Sequence, residues 1–290
     1  MSMNKKFGVE VELESDEWLD YDDIYSCINN CNEVKDDGSL NYGCECTSIP
    51  LNRIKDIFNF IHESRNTMME YGCYTQSPCA IHIHISNHKK PINLHKICYS
   101  FYDVFEKIRN NNKSGLMHYR NECMSNADLK SRLINKKLIM QNNEDFYKFC
   151  NQSSNILQHY RPTTLRTRMG YNNATLEFRP IPNNRTYSKY FDIWEKIYST
   201  MIEKSEKMHL NEMEKITDSI NRFDSLSHKF LAFKEFFDLS FKELHVLMYN
   251  QNDKTKNMYD DIISKNKYDF LNIMHELIFS NMDSNMEYDD

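Results

Sequence analysis

In the first 50 residues and again from Tyr74 to Ser86 apolar and polar residues alternate one by one, whereas after Arg185 apolar residues recur every three or four positions. In Phe7-Gly8-Val9-Glu10-Val11-Glu12-Leu13-Glu14 the alternation predicts a strand with Phe7, Val9, Val11 and Leu13 on one face and Glu10, Glu12 and Glu14 on the other. Ala80 to Ser86 repeats the pattern, with Ile81, Ile83 and Ile85 opposite His82, His84 and Ser86. A third run sets Leu176 and Phe178 against Glu177 and Arg179, and Pro180 and Pro182 are expected to end it. A fourth, Leu40 to Ser48, puts Asn41, Gly43, Glu45 and Thr47 on one face, behind a turn signal at Asp37-Gly38.

Elsewhere the period is helical. Leu51, Ile54, Ile57, Phe58 and Ile61 predict one amphipathic helix, and Leu94, Ile97, Cys98, Phe101, Phe105 and Ile108 a second. Residues 111–125 read as a loop, about 126–150 as a weaker helix, and 151–173 as a polar, basic, irregular stretch. From Tyr187 the series Tyr190, Phe191, Trp194, Ile197, Tyr198, Met201, Ile202 predicts a long helix, with Asn183 or Asn184 as its cap. Residues 211–282 add three or four helices, one opened by the capping-box pair Ser240 and Glu243. These elements predict an α+β fold: a largely antiparallel sheet with helices on one face and an open face for ligands, spanning 1–190, and a C-terminal helical region, 191–290, that packs on or extends the core.

Composition narrows the chemistry. The 290 residues are 40% hydrophobic and 27% charged, an ordinary globular balance long enough for a full core. No apolar run approaches the ~18 residues of a membrane span, and Met1 to Lys6 has no apolar leader, so a cytoplasmic protein with no membrane partner is expected. Six glycines is a low count, since average usage of about 7% would supply roughly twenty. None of Gly8, Gly38, Gly43, Gly72, Gly115 or Gly170 clusters into a phosphate-cradling loop, so any nucleotide would be held by side chains or metals. The nine cysteines include no C-x-x-C pair; reduced thiols are the expected state and structural zinc the lesser reading.

The net charge of −6 hides a segregation. Eight acids lie between Glu10 and Asp23 with no Lys or Arg among them. Residues 151–190 carry Arg161, Arg166, Arg168, Arg179, Arg185 and Lys189 against the single acid Glu177. One segment favours cations and the other anions, as a metal–phosphate site requires. Without overall basicity or aromatic interleaving, nucleic acid is not an expected partner. Each strand alone also fits a solvated edge; four with chemistry on one face make bare solvation a poor account.

The ordered set Phe7-Gly8-Val9-Glu10-Val11-Glu12, Asp37-Gly38-Ser39-Leu40 with Gly43 and Glu45, His82-x-His84, and Thr175-Leu176-Glu177-Phe178-Arg179 resembles the amidoligase family, within the carboxylate–amine ligase superfamily of glutamine synthetase and glutamate–cysteine ligase. The resemblance spans about residues 5–185. It implies a glutamine synthetase-like catalytic domain and an ATP-dependent ligase that phosphorylates a carboxylate and joins the acyl phosphate to an amine. It implies Glu10, Glu12, Glu45, His82 and Glu177 as ligands of two or more Mg2+ ions, with His84 and Ser86 near the nucleotide and Arg179 on the transferred phosphate. Arg168, with Arg166 as its rival, would add a second anion contact at the nucleotide, and Arg120 resembles a substrate-holding arginine. The carboxylate donor could be an amino acid, a peptide or a protein side chain. Two rival readings stand beside this one: a metal-dependent hydrolase built on the same His-x-His and carboxylate cluster, and a nucleotide-binding module without turnover.

Overall fold

The computed structural model describes residues 5–37, 40, 42–75, 79–111, 165–169, 174–183 and 188–248. The strands are β1 (Lys6–Glu14), β2 (Cys31–Asp36), β3 (Gly43–Ser48), β4 (Ala80–Ser86), β5 (Leu165–Met169) and β6 (Ala174–Pro182). The helices are α1 (Tyr21–Ser26), α2 (Ile54–Glu70), α3 (Pro91–Ser100), α4 (Tyr102–Asn111), α5 (Ser188–Lys207), α6 (Leu210–Asn221), α7 (Leu226–Phe236) and α8 (Phe241–Met248). The strands form one antiparallel sheet in the order β2-β3-β1-β4-β6-β5. β1 and β4, which carry Glu-x-Glu and His-x-His, therefore lie side by side in its middle. Among the described residues no helix is long and apolar enough to cross a membrane.

The apolar face of the sheet is fully covered. Val9, Val11, Leu13, Ile81, Ile83, Ile85, Leu176 and Phe178 are buried there. Phe178 lies 5.8 Å from Phe105 of α4, 6.2 Å from Trp194 and 5.4 Å from Tyr198 of α5, ring centre to ring centre. Beyond α4, Phe233 of α7 packs edge-on at 5.3 Å from Phe105. Thus α5, which opens the C-terminal helical region, lies directly on the sheet, and the aromatic stripe that predicted it is core.

The structure corrects several expectations. The helix foreseen from Leu94 to Ile108 is two helices that meet at Phe101. The Ser100 hydroxyl donates back to the Lys96 carbonyl at 2.7 Å and also reaches Thr217 at 3.0 Å, a side-chain competition with the helical ladder of the kind that bends helices. β5 falls inside the stretch expected to be irregular: Leu165 and Met169 do alternate with Arg166 and Arg168, but five residues within a polar, basic stretch are too short a signal to stand out. β6 runs through Pro180 to Pro182, with a register irregularity against β4. Among the described residues its pairing with β5 reaches only as far as Phe178, so Pro180 and Pro182 lie outside that ladder. Asn183 ties β6 to the middle of the sheet, its amide donating to the Glu12 carbonyl at 2.5 Å. The Ser240–Glu243 capping box forms as expected, with reciprocal bonds of 2.7 and 3.1 Å. The turn at Asp37 closes through the Leu40 N–H at 2.9 Å. The weaker helix expected at about 126–150 lies outside the described residues.

Candidate metal centre on the polar face of the sheet

Register decides which polar residues meet. Glu12 stands opposite Glu45, and Glu10 stands between Thr47 on β3 and His82 on β4. One step along, His84 stands between Gly8 and Glu177. With no side chain on Gly8 to occupy the place beside it, the His84 ring turns to Glu10, its Nε2 3.0 Å from Oε1. His82 Nδ1 lies 3.1 Å from Glu10 and 3.6 Å from both Glu12 and Glu177. The Arg179 guanidinium pairs with Glu177 two residues before it on β6. Glu12 also accepts the Ala80 N–H at 2.9 Å.

This face is more enclosed than the open floor the alternation suggested. His82 and Glu177 are each 2% exposed, Glu12 6% and Arg179 7%. Burial has electrostatic consequences. Burial, aided by the nearby Arg179 charge, pushes the His82 imidazole down to about 4 and so keeps it neutral at neutral pH. A neutral His82 then serves as a hydrogen-bond donor to Glu10 through Nδ1. Burial works to raise Glu10, but bonds from His82 and His84 outweigh it and hold this carboxyl well below the usual range. Glu177 is likewise held low against its burial, chiefly by Arg179. Glu45 goes the other way, raised by burial and by the Glu10 charge although Lys35 lies 3.3 Å away.

Two groups of donor atoms result, Glu10 with His84 and Glu177, and Glu12 with Asp37 and Glu45, each with its atoms within 4.8 Å of one another. Ligands at about 2.1 Å from an octahedral ion lie ~3.0 Å apart when adjacent and ~4.2 Å when opposite, so both groups have the span of a cation site. The all-carboxylate group suits a hard ion such as Mg2+, and the imidazole in the other widens its range to Mn2+ or Zn2+. Charge balance points the same way. Five carboxylates crowd together here beside Arg179 and Lys35, with Arg166 of β5 in register opposite Glu177, and buried carboxylates brought this close repel one another unless cations offset them.

The expected ligands Glu10, Glu12, Glu45 and Glu177 all fall in these groups. The imidazole in the first group is His84, expected near the nucleotide, while His82 sits at hydrogen-bond distance from Glu10. Ser86 is at the end of β4, its hydroxyl donating to the Lys6 carbonyl at 3.3 Å. β5 sets Arg166 opposite Glu177 and Arg168 opposite Thr175. Arg120 and Arg161 lie outside the described residues. Sequence reasoning did not assign Asp37 as a ligand, placing it only in a turn and in the Asp37-Gly38-Ser39-Leu40 motif, and it missed Lys35, which the β2–β3 register places opposite Glu45. An acid next to a turn beside a strand that carries another acid was the available signal for Asp37. Glu14, the third acid of β1, belongs to neither group; its backbone pairs with Tyr74, and burial and the Asp16 charge raise its carboxyl. Compared with known protein families and with curated proteins, the chain matches none.

Proposed function

We propose that this chain is an ATP- and Mg2+-dependent carboxylate–amine ligase with a glutamine synthetase-like fold, acting on cytoplasmic substrates. The observation that supports this reading best is the pair of cation-sized carboxylate groups, side by side on one sheet face, contributed by the same motifs that carry the amidoligase resemblance. A single carboxylate group would suit many metal proteins. Two adjacent groups, with an arginine at their margin, suit a reaction in which a carboxylate must approach a polyanionic phosphate.

In this reading Glu10, His84 and Glu177 hold one Mg2+ and Glu12, Asp37 and Glu45 the other. The bound ions would supply charge neutralisation at the phosphate oxygens. The protein's own side chains do the rest. Arg179, kept in place by Glu177, presents a guanidinium suited to bidentate contact with the transferred phosphoryl group. His82 orients Glu10 through Nδ1 and, being neutral, adds no charge to the site. The sheet floor, tied by Asn183 to Glu12 and by the Ala80 N–H to its carboxylate, keeps the ligands from rearranging. The chain needs no glycine loop, because side chains and ions take the place of backbone amides. Substrates are a carboxylate and an amine, each drawn from amino acids, peptides or protein side chains.

The test is a coupled assay of the purified chain with ATP, Mg2+ and a panel of carboxylates and amines. ADP and phosphate should appear only with a carboxylate–amine pair, together with a product lighter by one water than its parts. Glu177→Gln should lower ADP release by about 10²–10³-fold. Product formed without ATP would establish a hydrolase instead, and Mg·ATP binding with no ADP from any pair would establish a binding module.

A further inference from the structure

The core face of β3 carries sulfur where the polar face carries Glu45. Cys44 and Cys46 flank that glutamate, point away from it and are fully buried. Each touches a second cysteine from a different segment. Cys46 Sγ lies 3.6 Å from Cys31 Sγ at the start of β2, and Cys44 Sγ lies 3.7 Å from Cys73 Sγ just past α2. Four thiols thus form two pairs in contact, one pair on each side of Glu45.

A metal does not account for them. Among the described residues no cysteine joins a group of three or more metal-binding atoms within 4.8 Å, so neither pair has the further ligands a zinc site needs. Chance packing of small apolar side chains accounts for burial, but two separate sulfur–sulfur contacts are a more specific arrangement. Moving from contact to an S–S bond of ~2.05 Å closes about 1.6 Å, within reach of small side-chain rotations. Exposure is also asymmetric: Cys31 is 8% exposed and Cys73 3%, whereas Cys44 and Cys46 are both 0%. Each pair thus has one member slightly less buried, the first a small reagent would reach, and one inner member placed to resolve it.

We propose that Cys31 with Cys46, and Cys44 with Cys73, are disulfide-forming sites that close on reaction with a peroxide. The outer sulfur attacks the peroxide oxygen, releasing one water and leaving a sulfenic acid; the inner sulfur then attacks the outer one, expelling the hydroxyl as a second water. Two S–H bonds and one O–O bond are lost, one S–S bond and two O–H bonds form as the thiol protons pass into the two waters, sulfur is oxidised and the peroxide reduced. The closed bonds tie β3 to β2 and to the segment after α2, fixing the backbone on both sides of Glu45. The pairs lie on the core face, so the proposal stands whatever chemistry the polar face performs.

The experiment treats the full chain with hydrogen peroxide, blocks remaining thiols with iodoacetamide and digests without reductant, using a glutamate-specific protease that cuts between Cys44 and Cys46. Mass spectrometry should find the Cys31–Cys46 and Cys44–Cys73 crosslinked peptides, and both should disappear with dithiothreitol. Cys31→Ser should abolish the first crosslink and spare the second, and Cys73→Ser the reverse. Each closed bond should raise Tm by about 5 °C, since loops of this length remove substantial freedom from the unfolded chain. Fully alkylated thiols after peroxide, over-oxidised cysteines without crosslinks, or bonds between other cysteines would each overturn the proposal, and the map of the unmutated protein decides this even where a variant fails to fold.

Discussion

Glu177 and Phe178 are neighbours on β6, almost equally buried at 2% and 1%, yet they stand on opposite faces of the sheet and do opposite work. Phe178 meets Phe105, Trp194 and Tyr198, contacts that add to one another. Glu177 meets Arg179, His82 and a crowd of other carboxylates, contacts that partly oppose one another. The difference shows where stability resides. The apolar face supplies the free energy of folding, and the polar face draws on it to hold groups in an arrangement they would not adopt alone.

The largest test of that contrast is Phe178→Ala, which should cost about 3–5 kcal/mol in urea unfolding, because it leaves a cavity among three rings. Next comes pH. His82 and His88 are both pushed down to about 4 by burial, whereas an unfolded histidine titrates near ~6.5. Their folded values lie below the unfolded ones, so stability is fullest above ~6.5 and is lost as pH falls toward 4, by up to about 3 kcal/mol for each histidine. Urea midpoints measured from pH 7 to 4.5 should show this fall, and His82→Asn should roughly halve the slope, leaving the His88 part.

A third test uses the cation. Mg2+ at about a hundred times its Kd should stabilise the protein by ~2.7 kcal/mol, read as a rise in Tm that EDTA reverses. Glu12→Gln keeps an oxygen for the Ala80 N–H while removing one charge from the Glu12, Asp37 and Glu45 group. In EDTA this variant should be as stable as the parent or more so, and its response to Mg2+ should shrink. A loss of stability in EDTA would mean that the polar face contributes to folding after all. The smallest effect is expected at Lys35, which is 47% exposed and lies between Glu33 and Glu45. Lys35→Ala should change stability by less than about 1 kcal/mol, because solvent screens such pairs.

Alternation made much of this face legible in advance. The period of two in β1, β4 and β6 already separated Glu10, Glu12, His82, His84, Glu177 and Arg179 from the apolar residues between them, because strand geometry permits no other division. What alternation does not contain is register. A slide of two residues between β1 and β4 would keep every side chain on its face, yet it would set His84 or Ala80 opposite Glu10 in place of His82. For the same reason the sequence did not distinguish the place of His84 from that of His82, or reveal that Lys35 faces Glu45. Asp37 was hidden by its other role in the turn, and β5 by its brevity, five residues with Leu165 and Met169 alone apolar.

Gly43 shows the two kinds of information joined at one residue. Its scarcity value was visible in a chain of six glycines, but not its purpose. A side chain there would bring a Cβ within 2.1 Å of Leu40, so the turn after Asp37 closes onto β3 only because position 43 is bare. The sequence by itself determined which residues share a face, because the period of a strand is a local property of the backbone. Only the tertiary structure decided which of them meet, because the distance between two strands' side chains depends on register, bulges and the helices that hold the sheet from the other side.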